Sequence, residues 1–440
     1  MEKEFNVISD PWILAMDLDG VVREYSIREI FEQSHQLRGL AGEIPTQDFA
    51  ILRFLLAILH AVYGRQDDGK HLKLYPDEPE PESFEDFQDR WAYLWNLGTL
   101  NQPEIMDYLD SYYDKFWLIH PGEPFYQVKA LKTKKKYSAS KLNAAINQSG
   151  NKIRLFSNRS GTQKFSLEKG EGARWLVHAD NYEDCAAKKP SPKKTWTSRL
   201  GATNIQADTL FQTLLLNLVL HNGNEAWGIE KPRWAQKQKD IIPNEVVPMP
   251  DNLSELYSLP GRYMELYWSN GRIESYKVTG GKVIESEKMF ALEPMTCWRK
   301  STKKNVTTYT PKQHTPSRAQ WRDLSSLLPM SEVETAPGVI KWVRDLKYED
   351  YLDDRLITIK TTGIEYGAMS SSIVTIFGDS LTFSLQILDQ STEAWRSRII
   401  QEVSWTDHLV SQYKFLVKNI ELAKGNTGDM VSSKANAASS

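Results

Sequence analysis

The sequence predicts an α+β protein: a large mixed globular domain with antiparallel sheet and buried helices, followed by the first helix of a C-terminal helical bundle. Three observations predict it. Segments 46–64 and 210–220 are apolar nearly all the way round, a pattern that belongs to helices enclosed by protein. Residues 255–310 alternate strand-like runs with turn signals, as antiparallel sheet does. Ile399, Val403, Thr406, Val410, Tyr413, Val417 and Ile420 recur every four then three residues, the 3.5-residue repeat of a bundle helix.

The elements follow in order. Residues 5–30 read as a hairpin turning at Asp19-Gly20 and then a helix. Thr46 caps the first core helix, which runs to Gly64; His60 on it is expected to be a core histidine with satisfied hydrogen bonds. The run PDEPEPE at 76–82 is an exposed loop, because its prolines cannot donate to a helix or a sheet. Phe84 to Leu109 reads as helix with an acidic face, and 129–165 as long loops. Thr209 and Gln212 have the spacing of a capping box and open a helix from Leu210 to Leu220, with Asn217 expected to bond backbone. Strands Tyr263 to Trp268 and Ile273 to Val278 flank a turn at Asn270-Gly271, and a second turn falls at Gly280-Gly281. Gly425 stops the last helix, and the chain finishes small and polar (VSSKANAASS).

Composition narrows the function classes. With 40% hydrophobic residues, 14 Trp and 19 Tyr, most of the 440-residue chain is expected to fold. Two cysteines, Cys185 and Cys297, exclude a disulfide framework and a four-cysteine zinc site. Residues 1–10 lack the apolar core of a signal peptide, and no uncharged apolar run reaches membrane-spanning length, so a soluble, cytoplasmic protein with no membrane partner is expected. Walker, GxGxxG, HExxH and CxxC motifs are absent, and neither cofactor nor metal is expected.

The charge is distributed unevenly. The chain as a whole carries −3, yet residues 129–199 hold 17 Lys/Arg against 5 Asp/Glu, and residues 67–115 hold 4 against 13. A basic block in a near-neutral chain marks a phosphate-binding surface, because Lys and Arg displace counterions condensed on nucleic acid. The same block also reads as a solvated loop, or as a scaffold surface for an acidic protein.

Two short strings imitate enzymes. ILAMDLDGVV (13–22) is similar to the nucleophile motif of haloacid-dehalogenase-type phosphatases, with Asp17 as nucleophile and Asp19 as acid/base. The competing reading is a hairpin, since no strand–loop–helix order follows. IFGDSLTF (376–383) is similar to the serine block of GDSL-type esterases, with Ser380 as nucleophile and Asp407-His408 as the remaining pair. Only 60 residues follow Ser380, mostly one helix, so the esterase domain does not fit.

Eight strings in order carry a broader resemblance: FNVISDPWI (5–13), HPGEPFYQV (120–128), IRLFSNRS (153–160), ARWLVHAD (173–180), LGATNIQADTLFQTLLLNLVL (200–220), EPMTCWRKS (293–301), HTPSRAQWRDLSSLLP (314–329) and GIEYGAMSSSIV (363–374). Together they resemble the CasA family, the large subunit of the type I-E CRISPR surveillance complex Cascade. The resemblance covers roughly 5–425 and places the aspartates at 17–19 in the family's N-terminal hairpin. It implies a binding subunit without catalytic activity. Such a subunit sits at the 5′ handle of the guide RNA among other Cascade subunits. It inspects double-stranded target DNA for the protospacer-adjacent motif, starts strand opening and helps recruit the helicase-nuclease.

Position by position, the resemblance assigns Phe156 and Asn158 to the loop that contacts the guide handle, Phe156 by stacking and Asn158 by hydrogen bonding. Lys282 matches a lysine inserted into the minor groove. Cys185 to Lys188 matches a glycine-containing loop lying against that groove; alanine stands here instead, and each methyl pushes the backbone away. Lys188, Lys189, Lys193, Lys194 and Arg199 would then hold phosphates. Met369, Ser370 and Ser371 match the wedge that parts the first base pair, with Met369 inserting as an apolar side chain. The expected organisation is a large α+β domain at 1–390 and, at 391–440, the start of a helical bundle truncated relative to the family.

Overall fold

The computed structural model describes residues 2–133, 135–146, 159–182, 194–237, 241–303, 306–328, 334–367 and 373–437. Eleven α-helices, sixteen strands and several short 3-10 turns make up the regular structure of those residues. The sheets are small and surround the helices. β2 (Ile13–Asp17) pairs with both β3 (Val22–Tyr25) and β4 (Leu37–Leu40), and β1 (Glu4–Asn6) pairs with β5 (Trp117–Ile119). β10 (Arg272–Gly280) lies between β6 (Tyr137–Ser138) and β9 (Arg262–Ser269). β15 (Leu356–Tyr366) lies between β7 (Ala202–Gln206) and β16 (Ile373–Ser384). β12 (Trp298–Lys303) lies between β13 (Val306–Pro311) and β14 (Glu334–Thr335). All of these pairs are antiparallel. The exception is the two-residue parallel pair of β8 (Val246–Val247) and β11 (Val283–Ile284), which receives the chain after the turn at Gly280-Gly281.

α2 (Pro45–Tyr63) is the axis of the core: 17 of its 19 residues are buried. It is long and apolar enough to cross a membrane, but its surroundings here are protein. Ile44, not Thr46, occupies the N-cap position, and Pro45 starts the helix from a φ that suits it. Thr46 instead bonds the ring of His178 through its hydroxyl, 3.0 Å from Nε2. Phe54 gathers Trp12, Phe125, Tyr126 and Trp234 within 6 Å, mostly edge to face. His60 departs from expectation. It is fully buried, neither ring nitrogen has a hydrogen-bond partner, and burial pushes its pKa down to about 3. The ring therefore behaves as an apolar group, edge-on to Tyr257.

The remaining helices pack around α2. α1 (Ile27–Gln33) begins with a Ser26/Glu29 capping box and α3 (Phe84–Asn96) with a Ser83/Asp86 one. The single helix expected over Phe84 to Leu109 is two: the left-handed Gly98 ends the first, and Pro103 opens α4 (Pro103–Ser111). The 76–82 loop is exposed except at Pro81 and at Glu78, which is buried against Arg90. α5 (Lys169–Asn181) and α7 (Leu253–Ser258) lie directly on α2. α6 (Leu210–Leu216) is shorter than expected, because Asn217 leaves the helix to bond both backbone groups of Ile205 and the carbonyl of Thr213. The Thr209 half of the capping box forms, whereas the Gln212 side-chain oxygen has no partner. α8 (Leu324–Leu327) and α9 (Gly338–Tyr348) cover the far side. α10 (Glu393–Ala423) is the expected long C-terminal helix, and a further short helix, α11 (Asp429–Ala437), folds back against it where the sequence reads as a polar end.

Candidate nucleic-acid interface

The basic block is held in place by buried polar contacts on α5. This helix is buried along its length, and the pKa of His178 is pushed down to about 3 by burial, so the ring that meets Thr46 is neutral. Two residues on, Asp180 accepts from the Arg262 backbone and pairs with Arg233 at 3.3 Å; burial nonetheless raises its pKa to about 6. The chain returns at Lys194. Thr195 donates to the carbonyl of Asn181 (2.6 Å) and Thr197 to its side chain (2.9 Å), so residues 181 and 195–197 are stitched together. Trp196 donates its indole N–H to Glu293, which also takes both arms of Arg53 on α2 at 2.9 and 3.0 Å. Arg53 and Glu293 are almost fully buried, and the guanidinium lies 4.2 Å from the centre of the Tyr257 ring. A paired, hydrogen-bonded charge inside the core thus fixes the root of the basic segment.

Lys282 stands beside the same root. Its backbone N–H bonds the carbonyl of Pro260 at 2.7 Å, and Gly281 bonds Gly261 at 3.0 Å. Neither glycine tolerates a side chain: a Cβ on Gly261 would lie 2.2 Å from the Asp180 carbonyl, and one on Gly281 2.1 Å from that of Pro260. These close approaches bring 180–182, 194–197, 260–262 and 280–282 into one neighbourhood. Lys282 is half-buried in the lining of a cavity, and its ammonium makes no ion pair with described residues. Lys194 is exposed, with its ammonium 5.7 Å from the ring of Tyr366 at the end of β15. Tyr366 lies just before the β15–β16 connection that contains 369–371. Arg199 is half-exposed on the short turn Thr197–Arg199, next to the Trp196 anchor.

A second root holds the flanks of the segment that carries Phe156 and Asn158. The buried carboxylate of Glu171 accepts from Asn143 at 3.2 Å and from Arg159 at 3.0 Å, so the segments before and after it meet on α5. Phe156, Asn158, Lys188, Lys189, Lys193, Met369, Ser370 and Ser371, with Cys185 to Ala187, lie outside the described residues. Of the expected set, the structure describes Lys194, Lys282 and Arg199, with the backbone flanking Lys194 and that of Lys282 in one neighbourhood and Arg199 two residues past Thr197 on the same short turn. Sequence reasoning passed over the anchors Glu171, Trp196, Tyr366 and Glu293. It also passed over the exposed hairpin β12–β13, which carries Arg299, Lys300 and Lys303 outward. The clustered charges of WRKSTK held that signal.

The enzyme-like strings have other roles. Asp17 closes the β2–β3 turn: one oxygen accepts from Asp19 and Val21, and the other meets Arg23 at 3.2 Å. Ser380 sits inside β16 opposite Lys360, with no helix following it as a nucleophile elbow requires. Asp407 is held by Arg318 and Arg322 rather than by His408. Among the described residues, no three His, Cys, Asp or Glu side chains converge to hold a metal.

Comparison with known proteins gives the family. The profile of the CRISPR-associated protein Cse1 family matches residues 6–439. The CRISPR-associated protein CasA/Cse1 of Thermus thermophilus is 26% identical over 344 residues, 74% of this chain and 61% of that protein, so the match spans about three-fifths of the relative's length. The crystal structure of Thermobifida fusca Cse1 superposes with a TM-score of 0.82 at 28% identity, covering 99% of this chain and 83% of the other. A chain from a CRISPR RNA-guided surveillance complex shares the fold at 17% identity, with a TM-score of 0.72 over 98% of this chain and 86% of that one. The chain belongs to the Cse1 family of CRISPR-associated proteins, the CasA family that its sequence resembles.

Proposed function

We propose that this protein is the non-catalytic large subunit of a type I-E Cascade complex in the cytoplasm. In this reading it sits at the 5′ handle of the guide RNA beside other Cascade subunits. It recognises the protospacer-adjacent motif in double-stranded DNA, initiates strand opening and helps recruit the helicase-nuclease. One observation carries the reading: four segments distant in sequence, the two flanks of the basic loop and the turns at 260–262 and 280–282, are locked together around Lys282 by glycine close approaches and buried hydrogen bonds. A minor-groove probe needs that company, with phosphate-holding lysines on both sides to fix its register. The ends of the loop carrying Phe156 and Asn158 rest on the same helix, through Glu171. The similar fold of a chain from an RNA-guided surveillance complex supports the partner set. Met369 acts in this proposal as the apolar wedge, with Ser370 and Ser371 beside it. The large domain at 1–390 carries these contacts, and 391–440 begins a separate helical bundle.

The test is reconstitution. Guide-loaded complex lacking this protein is mixed with it, and binding is measured on duplexes that differ only beside the target. Discrimination that appears only with the protein, and weakens steeply with salt, is the expected result. Replacing Lys188, Lys189, Lys193 or Lys194 by Ala should each lower the slope of log K against log salt by about 1, while Lys282→Ala should lose discrimination between duplexes. Strand opening unchanged by Met369→Ala removes the wedge, and equal binding of all duplexes removes the proposal.

A further inference from the structure

We infer that the cavity lined in part by Lys282 receives a single nucleotide, phosphate at the lysines and base against the aromatic rings; the inference rests on the nucleic-acid reading above. The cavity is about 380 Å³, within the range that encloses small ligands. Its wall includes four aromatic residues, Phe125, Tyr126, Trp234 and Tyr263, and three carboxylates, Glu123, Glu245 and Glu255.

Three features mark it as built for a ligand. Tyr126 holds a positive φ of 55°, a left-handed conformation that a bulky residue adopts only where the surroundings enforce it. Its side chain is buried and its hydroxyl has no hydrogen-bond partner, while the Arg233 guanidinium lies 4.6 Å from the ring centre. The cations in the lining are not equivalent. Lys115 is paired with Glu123 and Arg233 with Asp180, whereas Lys237 and Lys282 have no counter-ion among the described residues. Two lysines free of ion pairs with described residues, in one lining with aromatic rings, suit a phosphate joined to a planar base, since aromatic walls take bases and lysines take phosphates. Glu245, also in the lining, favours a base with an exocyclic amino group, because a carboxylate accepts from that N–H. Adenine, cytosine and guanine therefore fit better than uracil or thymine. In the assembled complex such a nucleotide would be one turned out of its stack beside the groove that Lys282 probes.

The experiment uses the full chain with AMP, CMP, UMP, adenosine and inorganic phosphate, followed by calorimetry or ligand-observed NMR. AMP and CMP should bind with a dissociation constant of about 1 mM or tighter, and UMP and inorganic phosphate roughly ten-fold more weakly. Lys282→Ala and Lys237→Ala should each weaken AMP several-fold and leave adenosine unchanged. Ile241→Trp, placed in the lining to fill the recess, should abolish both while leaving salt-dependent duplex binding intact. A duplex carrying 2-aminopurine beside the target should brighten with the wild-type protein and not with Ile241→Trp. The inference is overturned if AMP does not saturate, if phosphate competes as well as AMP does, or if AMP binding survives Ile241→Trp in a chain with native thermal unfolding. Loss of duplex binding by the wild-type protein would instead overturn the nucleic-acid reading, which the mononucleotide titrations do not measure.

Discussion

α2 and α10 are both long, apolar-rich helices, and they live in opposite surroundings. α2 buries all but two of its 19 residues, including Arg53, His60 and Gln47. α10 is 31 residues long and buries only Arg396 and Glu421, leaving Trp395 71% and Trp405 67% exposed. The 3.5-residue repeat explains part of the difference. Ile399, Val403, Val410 and Val417 are half-buried, whereas Thr406, Tyr413 and Ile420 of the same repeat face solvent. α2 is held by dispersion, burial and one internal ion pair, while α10 is held by a short apolar contact of Ile399, Ile400 and Val403 with the core and by a few ionic contacts. Rigidity therefore belongs to the half of the molecule that roots Lys194 and Lys282, and adaptability to the half that carries the exposed stripe.

The sharpest way to break this contrast is to remove Glu293. Glu293→Ala strands the Arg53 charge inside the core and takes the indole partner from Trp196, a loss of about 3–5 kcal/mol. Urea unfolding measures it, and Arg53→Met combined with Glu293→Leu should recover part of the loss, since no charge is then left unpaired. A Glu293→Ala chain as stable as wild type would show that the pair does not hold the core. Truncation inside each helix comes next. Leu55→Ala on α2 should cost about 2–5 kcal/mol through transfer and cavity terms. Leu409→Ala on α10, where the side chain is 57% exposed, should stay within about 0.5 kcal/mol of wild type. Equal effects would abolish the distinction between the two helices.

These particulars also explain what the sequence made legible. Apolar periodicity located both helices, because burial and dispersion act on residue type and spacing alone. The resemblance strings are largely core and clamp residues: Trp12 and Phe125 around Phe54, His178 against Thr46, Glu293 under Arg53, Arg318 on Asp407. Charge density pointed to the basic block but not to its roots. Glu171 and Trp196 act through partners 28 and 97 positions away, and no local pattern encodes such a pairing. Helix ends misled for a related reason: Asn217 and Thr46 take long-range partners in place of the local ones that their spacing offered. Lys282 was reached through the resemblance, and the cavity beside it not at all, since its walls come from separate segments far apart in sequence.

A pH experiment sharpens the comparison at the carboxyl end of α2. Glu230 is packed against Gly64, accepts from Ser254 with one oxygen and has no partner for the other. Burial raises its pKa from 4.5 to about 7. A folded-state value above the unfolded one favours the folded protein in acid; that advantage is complete below about pH 4.5 and is lost as pH rises through 7. Glu230→Gln should therefore leave stability near pH 4.5 little changed and raise it at pH 8 by up to about 3 kcal/mol. Asp48 and Asp180, each raised to about 6, act in the same direction, so the variant flattens only part of the slope. Equal stabilisation at both pH values would assign the effect to packing instead.

A smaller effect than that of Glu230 concerns the attachment of α10. Asp407 takes hydrogen bonds from Arg322 (2.7 Å) and Arg318 (3.3 Å), and Arg318 also holds Asp323 at 2.8 Å. Burial works to raise the pKa of Asp407, but the two arginines outweigh it and hold the carboxyl below its usual range. The sign is thus opposite to that of Glu230: the contribution is present above the unfolded pKa near 3.8 and is lost as pH falls through the lower folded value. The carboxylate is 30% exposed, so salt screens the contact and its worth is about 1 kcal/mol or less. Asp407→Asn should barely move global unfolding yet speed amide exchange along α10, and raising salt on the wild-type chain should do the same. Exchange in α2 should not respond to either change. If it did, the two helices would be opening as one unit, and the rigid half would extend to the C-terminal helix.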